Sequence, residues 1–202
     1  MSNIEPFVPH GHKRAAKNLV GFIARAKQLQ PWPVKIDFES DNWRVPNELP
    51  GNQGYTTIGF ASLSPAFKDV VKAIIVYRRE EVGFKGKAAA QWARSLVYLD
   101  RAAEKYGIKS AIDLTPSVFN AAEENIGRDS PLTQRPRHAN VLEMVSVMLN
   151  DFRLVRQKLM WKCMIKEKKD LDVFTQKARN RQREMLPSRE ALEFLGRANP
   201  FC

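Results

Sequence analysis

Two short stretches of this chain place cations where a helix least favours them. Lys85 and Lys87 precede a helical pattern that carries Gln91, Arg94, Tyr98 and Arg101 at i+4, i+7, i+11 and i+14 from Lys87 and meets no acid until Asp100. Thr133, Gln134, Arg135, Arg137 and His138 open another pattern, with no acid before Glu143. The first turn of a helix exposes unbonded N–H groups and the positive end of the macrodipole, so each cation there costs a few tenths of a kcal/mol, up to about 1. An anion seated at that end removes the cost, and phosphate is the obvious candidate. Two such starts on neighbouring helices would straddle a duplex, with the Arg and Lys groups on phosphates and Gln91, Gln134 and Asn140 available to base edges. The competing reading makes both stretches solvated turns, with Lys85 and Lys87 flanking Gly86 in a loop.

Other chemistries find less support. The sequence has no Gly-x-x-x-x-Gly-Lys-Ser/Thr loop for nucleotide phosphates and no Gly-x-Ser-x-Gly elbow. His10 and His12 stand near the N-terminus without a third ligand, which argues against a metal site. Glu123 and Glu124 are adjacent on a helical pattern and therefore diverge, a poor arrangement for paired acid/base work. Trp92 and Trp161 read as packing residues rather than stacking platforms. Cys163 and Cys202 form no C-x-x-C pair, which excludes a disulfide scaffold and suits a reducing compartment. The longest apolar run, Ala73 to Tyr77, is far short of the roughly 20 residues that span a bilayer. No apolar stretch follows the basic residues near the N-terminus, so the expectation is a cytoplasmic protein without membrane contact.

The elements that would position these cations follow from composition and periodicity. The chain has 202 residues, 44% apolar and 27% charged, with 33 basic against 22 acidic side chains and a net charge of +11. That composition supports a packed core, and the basic surplus would raise the local concentration of a polyanion. The charge is +2 on residues 1–62, +3 on 63–155 and +6 on 156–202. A first helix is predicted over residues 12–30, with Leu19, Val20, Ile23 and Ala26 on one face and Pro31 ending it. Prolines and glycines then break the pattern up to Ser62, leaving extended pieces at Lys35 to Phe38 and Tyr55 to Phe60 that could pair as a short hairpin.

From Ser64 the periodicity is helical. Ser64 and Pro65 read as an N-cap and first helical residue before the stripe Phe67, Val70, Val71, Ile74 and Ile75. A second helix of this group runs from about Lys87 to Tyr106, with Trp92, Leu96, Leu99, Ala103 and Tyr106 inward and Gly107 ending it. A third starts at Thr115 and Pro116 and stops at Gly127. A fourth, from Gln134 or Pro136 to Arg153, buries Leu142, Val145, Leu149 and Phe152. Residues 156–187 hold ten basic and four acidic side chains and suit a partly helical, solvated linker. A new cap at Leu186-Pro187-Ser188 opens an amphipathic helix through Ala191, Leu192 and Leu195 that reads as the first element of a further domain.

The order of these motifs resembles the core-binding domain of tyrosine recombinases, the phage-integrase family. The resemblance rests on Phe67 to Arg79, the basic turn and long helix ending Tyr106-Gly107, "DLTPSVF" (Asp113 to Phe119), and "SPLTQRPRHANVLEMVSVMLNDF" (Ser130 to Phe152). In that family the fourth helix opens with a Ser/Thr-rich, Arg-containing turn, and the catalytic domain opens with a Leu-Pro-Ser/Thr phrase like Leu186-Pro187-Ser188. The similarity spans roughly residues 63–202.

The resemblance implies a mainly α fold: a four-helix core-binding bundle at 63–155, preceded by a small irregular N-terminal module at 1–62. A basic linker at 156–187 and the start of a truncated catalytic domain at 188–202 would follow. It implies double-stranded DNA as partner, with Lys85, Lys87, Gln91, Arg94, Thr133, Gln134, Arg135, Arg137 and His138 near it, and other recombinase protomers in the full-length protein. It implies no metal or nucleotide cofactor. Catalysis is not expected from this chain, because it has no tyrosine after Tyr106 and no His-x-x-Arg. Two alternatives stand beside this reading: a stand-alone helical nucleic-acid-binding regulator, and an interaction module whose 156–187 linker docks on an acidic partner.

Overall fold

A computed structural model of the chain describes residues 10–48, 54–83 and 85–165. They are mainly helical: α1 (His10–Gln28), α2 (Pro65–Val82), α3 (Gly86–Lys105), α4 (Pro116–Asp129) and α5 (Arg135–Asp151), with a 3-10 turn at Ala111–Asp113. One small antiparallel sheet joins β1 (Asn42–Pro46) to β2 (Tyr55–Gly59). The helix α3 is the hub, packing against α2, α4, α5 and β2. Its sequence suits that place, because buried Ala89, Ala90, Ala93, Ala102 and Ala103 let neighbouring elements approach closely while Trp92, Leu96 and Leu99 fill the space between them.

The apolar stripe of α2 is buried as its spacing requires, and Gly83, in the left-handed region at φ 63°, closes the helix with its N–H on the Arg79 carbonyl at 2.9 Å. Ser64 departs from its expected role. Its side chain does not cap α2; its N–H and hydroxyl both donate to the Asp100 carboxylate, at 2.7 and 2.6 Å. Asp100 is buried on α3, and its carboxyl draws the Ser64 hydroxyl toward itself and away from the first-turn N–H groups a cap would accept from. Thr115 likewise makes no side-chain cap. Two residues expected inside face solvent, Val20 at 69% exposure and Tyr106 at 52%. The helix α4 passes through Gly127 to Asp129, since that glycine sits on an open surface and keeps helical geometry.

The hairpin uses a different first strand from the one expected. Residues 35–38 form no strand; Asn42–Pro46 pairs with Tyr55–Gly59, in the register Trp43↔Ile58 and Val45↔Thr56. Trp43 and Val45 are buried while Asn42 and Arg44 are exposed, the alternation of a half-buried strand. At Asp37 the carboxylate accepts the Glu39 N–H at 3.0 Å, and this local bond turns the chain where a strand would have continued it. The indole of Trp43 also donates to the Asp37 carbonyl, at 2.9 Å.

One hydrophobic core takes residues from both sides of Ser62: Ala15, Leu19, Trp32, Trp43 and Ile58 before it, and Phe67, Leu96, Phe119 and Leu142 after it. Lys72 crosses this core at 1% exposure. Its ammonium donates to the Phe38 carbonyl at 2.7 Å and lies 5.5 and 5.4 Å from the Phe38 and Phe60 ring centres. Burial holds its pKa below the usual lysine value.

The described part of the expected solvated linker, residues 156–165, is strapped onto the helices. The Asn150 amide brackets Leu159, accepting its N–H at 2.7 Å and donating to its carbonyl at 3.1 Å. The Trp161 indole donates to Asn120 at 2.9 Å with its ring 5.0 Å from that of Phe119. One oxygen of buried Glu123 accepts the N–H groups of Met164 and Ile165, each at 2.6 Å. Leu159 and Cys163 are buried, and that burial pushes the Cys163 thiol up to about 12. Basic composition did not make this segment solvated, because apolar residues at 159, 161 and 163 meet polar side chains able to satisfy its backbone. Residues 166–187 of the linker and the cap at Ser188 lie outside the described residues. Among the described residues no helix is long and apolar enough to cross a membrane.

Candidate nucleic-acid interface

The start of α3 is set by Gly86. A Cβ there would stand 2.6 Å from Cγ2 of Val45, so β1 sits directly on the first turn of α3 and only glycine allows the approach. Lys85, extended at φ −81° and ψ 161°, occupies the N-cap without a side-chain bond to the helix, and Lys85 and Lys87 are both exposed. The hairpin therefore buttresses the cationic helix start from behind.

The start of α5 is built by a turn. The N–H groups of Gln134 and Arg135 both reach the Pro131 carbonyl, at 2.9 and 3.2 Å, and Pro136 then enters a first turn where its missing N–H costs nothing. Arg135 is half-buried and donates from Nε to the Ser130 carbonyl at 2.9 Å. No side chain caps α5 either.

A clasp joins the first turn of α5 to the second and third turns of α3. His138, buried on α5, points Nδ1 at α3, where the Ser95 hydroxyl lies 2.9 Å away and the Gln91 amide nitrogen 3.3 Å away. The Gln91 amide nitrogen can only donate, so it calls for a bare Nδ1 and hence the neutral imidazole with its proton on Nε2. Burial first, and then the Arg94 charge, hold the His138 pKa below its ordinary value, in agreement with a neutral ring. Ser95 also bonds the Gln91 carbonyl at 2.8 Å, and Arg94 reaches the Gln91 side-chain oxygen at 3.3 Å. The Tyr98 ring meets the imidazole edge-on, 5.1 Å between centres.

The nine residues expected at the interface thus divide. Lys85, Lys87, Arg94, Thr133, Gln134 and Arg137 are exposed. Gln91 and Arg135 are half-buried, with the bonds just given. His138 differs from the rest: its imidazole is buried in the seam between α3 and α5, where Nδ1 meets Ser95 and Gln91. Ser95 and Gly86 were not singled out from the sequence. A glycine between two lysines was the available signal for Gly86; Ser95 had none, because its partner is 43 residues away on another helix.

Absence of acid from the first turn does not by itself mark α3 and α5, since all five helices share it. Exposed cations at a helix start do not single them out either, since α1 opens with Lys13 and Arg14; what sets α3 and α5 apart is the clasp between them. Among the described residues, Lys85, Lys87, Arg94 and Arg137 form no ion pair. Among the same residues no cluster of three or more His, Cys, Asp or Glu side chains is placed to hold a metal. Comparison of the chain with family models, with curated proteins and with solved structures finds no match. The likeness to tyrosine recombinases is therefore carried by its short motifs alone.

Proposed function

We propose that the chain binds duplex DNA through the starts of α3 and α5, as the core-binding part of a phage-type tyrosine recombinase would. On this reading α2, α3, α4 and α5 are the four-helix core-binding bundle, and α1 with the hairpin is an accessory module that braces it. The observation that carries the reading is the clasp: it ties the first turn of α5 to the second and third turns of α3, two helices whose starts carry exposed cations with no acidic partner among the described residues. Backbone N–H groups and the macrodipole at both ends favour phosphate, and Lys85, Lys87, Arg94 and Arg137 supply the screening charge. Thr133 and Gln134 stand beside them for polar contacts. Gln91 is already bonded to Arg94 and to the clasp, so it acts by orienting Arg94.

Fluorescence anisotropy on labelled duplex DNA over a salt series tests this, with Lys85→Ala/Lys87→Ala and Arg94→Ala/Arg137→Ala beside the wild type. Each phosphate contact removed should lower the log–log salt slope by about 0.9. Binding that survives both pairs of substitutions with an unchanged slope rejects the interface. Binding to an acidic protein that needs residues 156–187, with no DNA affinity, supports the interaction-module alternative.

A further inference from the structure

A groove on the side formed by α1, α2 and the C-terminal half of α5 has no role in the proposed DNA contact. Its floor is an aromatic triad: the Phe22 ring lies 5.8 Å from Tyr77 and 5.2 Å from Phe152, and Tyr77 meets Phe152 edge-on at 4.5 Å. Two cavities of about 480 and 330 Å³ adjoin there, sharing Tyr77, Asp151 and Phe152. Their charged rims differ in sign. The first is edged on α1 by exposed Lys17 and Arg25, the second on α2 and α5 by exposed Glu81 and Glu143 beside half-buried Arg78, with Asp151 at the seam.

Within the chain these charges do little. Among the described residues Lys17, Arg25 and Glu143 have no ion pair, and Glu81 bonds only Arg78, its neighbour one helical turn away. Gly21, in the middle of α1, weakens its helix, and a side chain there would meet nothing within 4 Å. It borders the groove, where its bareness leaves room over the aromatic floor. Val147 adds an apolar side chain, 51% exposed, at the acidic end.

We propose that this groove is the contact between two copies of the chain, related by a two-fold axis near Tyr77 and Phe152. A two-fold interface must be self-complementary, because the same patch meets itself reversed. A strip with cations at one end, carboxylates at the other and an apolar middle has that property: Lys17 and Arg25 of one protomer reach Glu81 and Glu143 of its partner, and the reverse contact forms at the other end. A chain of net charge +11 repels its own copies generally, so a self-contact belongs where local carboxylates offset that repulsion. The aromatic triad and Val147 then leave water together, which supplies the non-directional part of the association.

Sedimentation velocity over a concentration series reads the outcome. The wild type should shift from monomer to dimer as concentration rises. Lys17→Glu/Arg25→Glu makes both ends acidic and Glu81→Lys/Glu143→Lys makes both ends basic, so each variant alone should be monomeric at every concentration. Mixed in equal amounts they should form a one-to-one heterodimer, because every contact again joins opposite charges. That rescue also shows that both variants are folded. A wild-type chain that stays monomeric throughout leaves the groove to some other partner and overturns the proposal, as do variants that dimerise alone. Folded variants, by circular dichroism, that ignore each other in the mixture overturn the charge pairing.

Discussion

The cations around α2 and those at the starts of α3 and α5 are treated differently by the same fold. Lys27 lies 2.7 Å from Glu39 and 3.5 Å from Asp69, Lys68 lies 2.7 Å from Asp41, Arg79 forms a salt bridge with Glu48, and buried Lys72 is held by a backbone carbonyl between two rings. Glu39 and Asp41 are kept below the usual carboxylate range by the hydrogen bonds of Lys27 and Lys68. Lys85, Lys87 and Arg137 at the starts of α3 and α5, and Arg94 two turns into α3, have no such partner among the described residues. The cations around α2 are met within the fold, by a carboxylate or, for Lys72, by a carbonyl and two rings. For the cations at the starts of α3 and α5, the counter-charge is the phosphate we assign to them.

The internal side of this contrast breaks most severely at Asp100. Asp100→Ala strips Ser64 of both its acceptors and should cost about 3 kcal/mol, read as a lower urea midpoint. Gly86→Ala comes next. The new methyl collides with Val45, so the hairpin or the first turn of α3 must shift, at about 1–3 kcal/mol. The shift displaces Lys85 and Lys87, so DNA affinity should fall although no charge is removed. Gly86→Ala that binds DNA as tightly as wild type would separate the hairpin from the site.

The clasp gives a smaller, pH-dependent effect. His138 has a depressed pKa in the fold, so above the ordinary histidine range it is neutral in both folded and unfolded chains and its contribution is fully present. As pH falls through that range the unfolded chain takes up a proton that the folded chain resists, and stability is lost. Unfolding midpoints measured between neutral and mildly acidic pH should show this loss in wild type and lack it in His138→Gln. The smallest effect is expected at Lys68→Ala, whose solvent-screened pair with Asp41 should leave the urea midpoint nearly unchanged.

Helix α2 and the interior of α3 were readable because a single apolar stripe at helical spacing outweighs every other local signal. Strand β1 was not, since Asp37 and Ser40 redirect the backbone through their own side chains and move the pairing downstream to Trp43 and Val45. The strap at 156–165 was misread for a related reason. Its stability comes from Asn150, Asn120 and Glu123 bonding chain that arrives later, and a basic composition hides such contacts. At the candidate site the cations were visible as residue types at helix starts. That His138 would turn inward depended on Ser95 and Gln91 of another helix, which no spacing along the chain reveals.

The central claim is that the cations at the starts of α3 and α5, and not the paired ones around α2, meet DNA. Lys85→Ala/Lys87→Ala and Lys27→Ala/Lys68→Ala remove the same charge from the two regions, and their salt slopes on one duplex compare them directly. The account predicts a slope lowered by about 1.8 for the first pair, two contacts at roughly 0.9 each, and an unchanged slope for the second. Equal losses from both pairs would mean that net charge alone drives binding, and would contradict it.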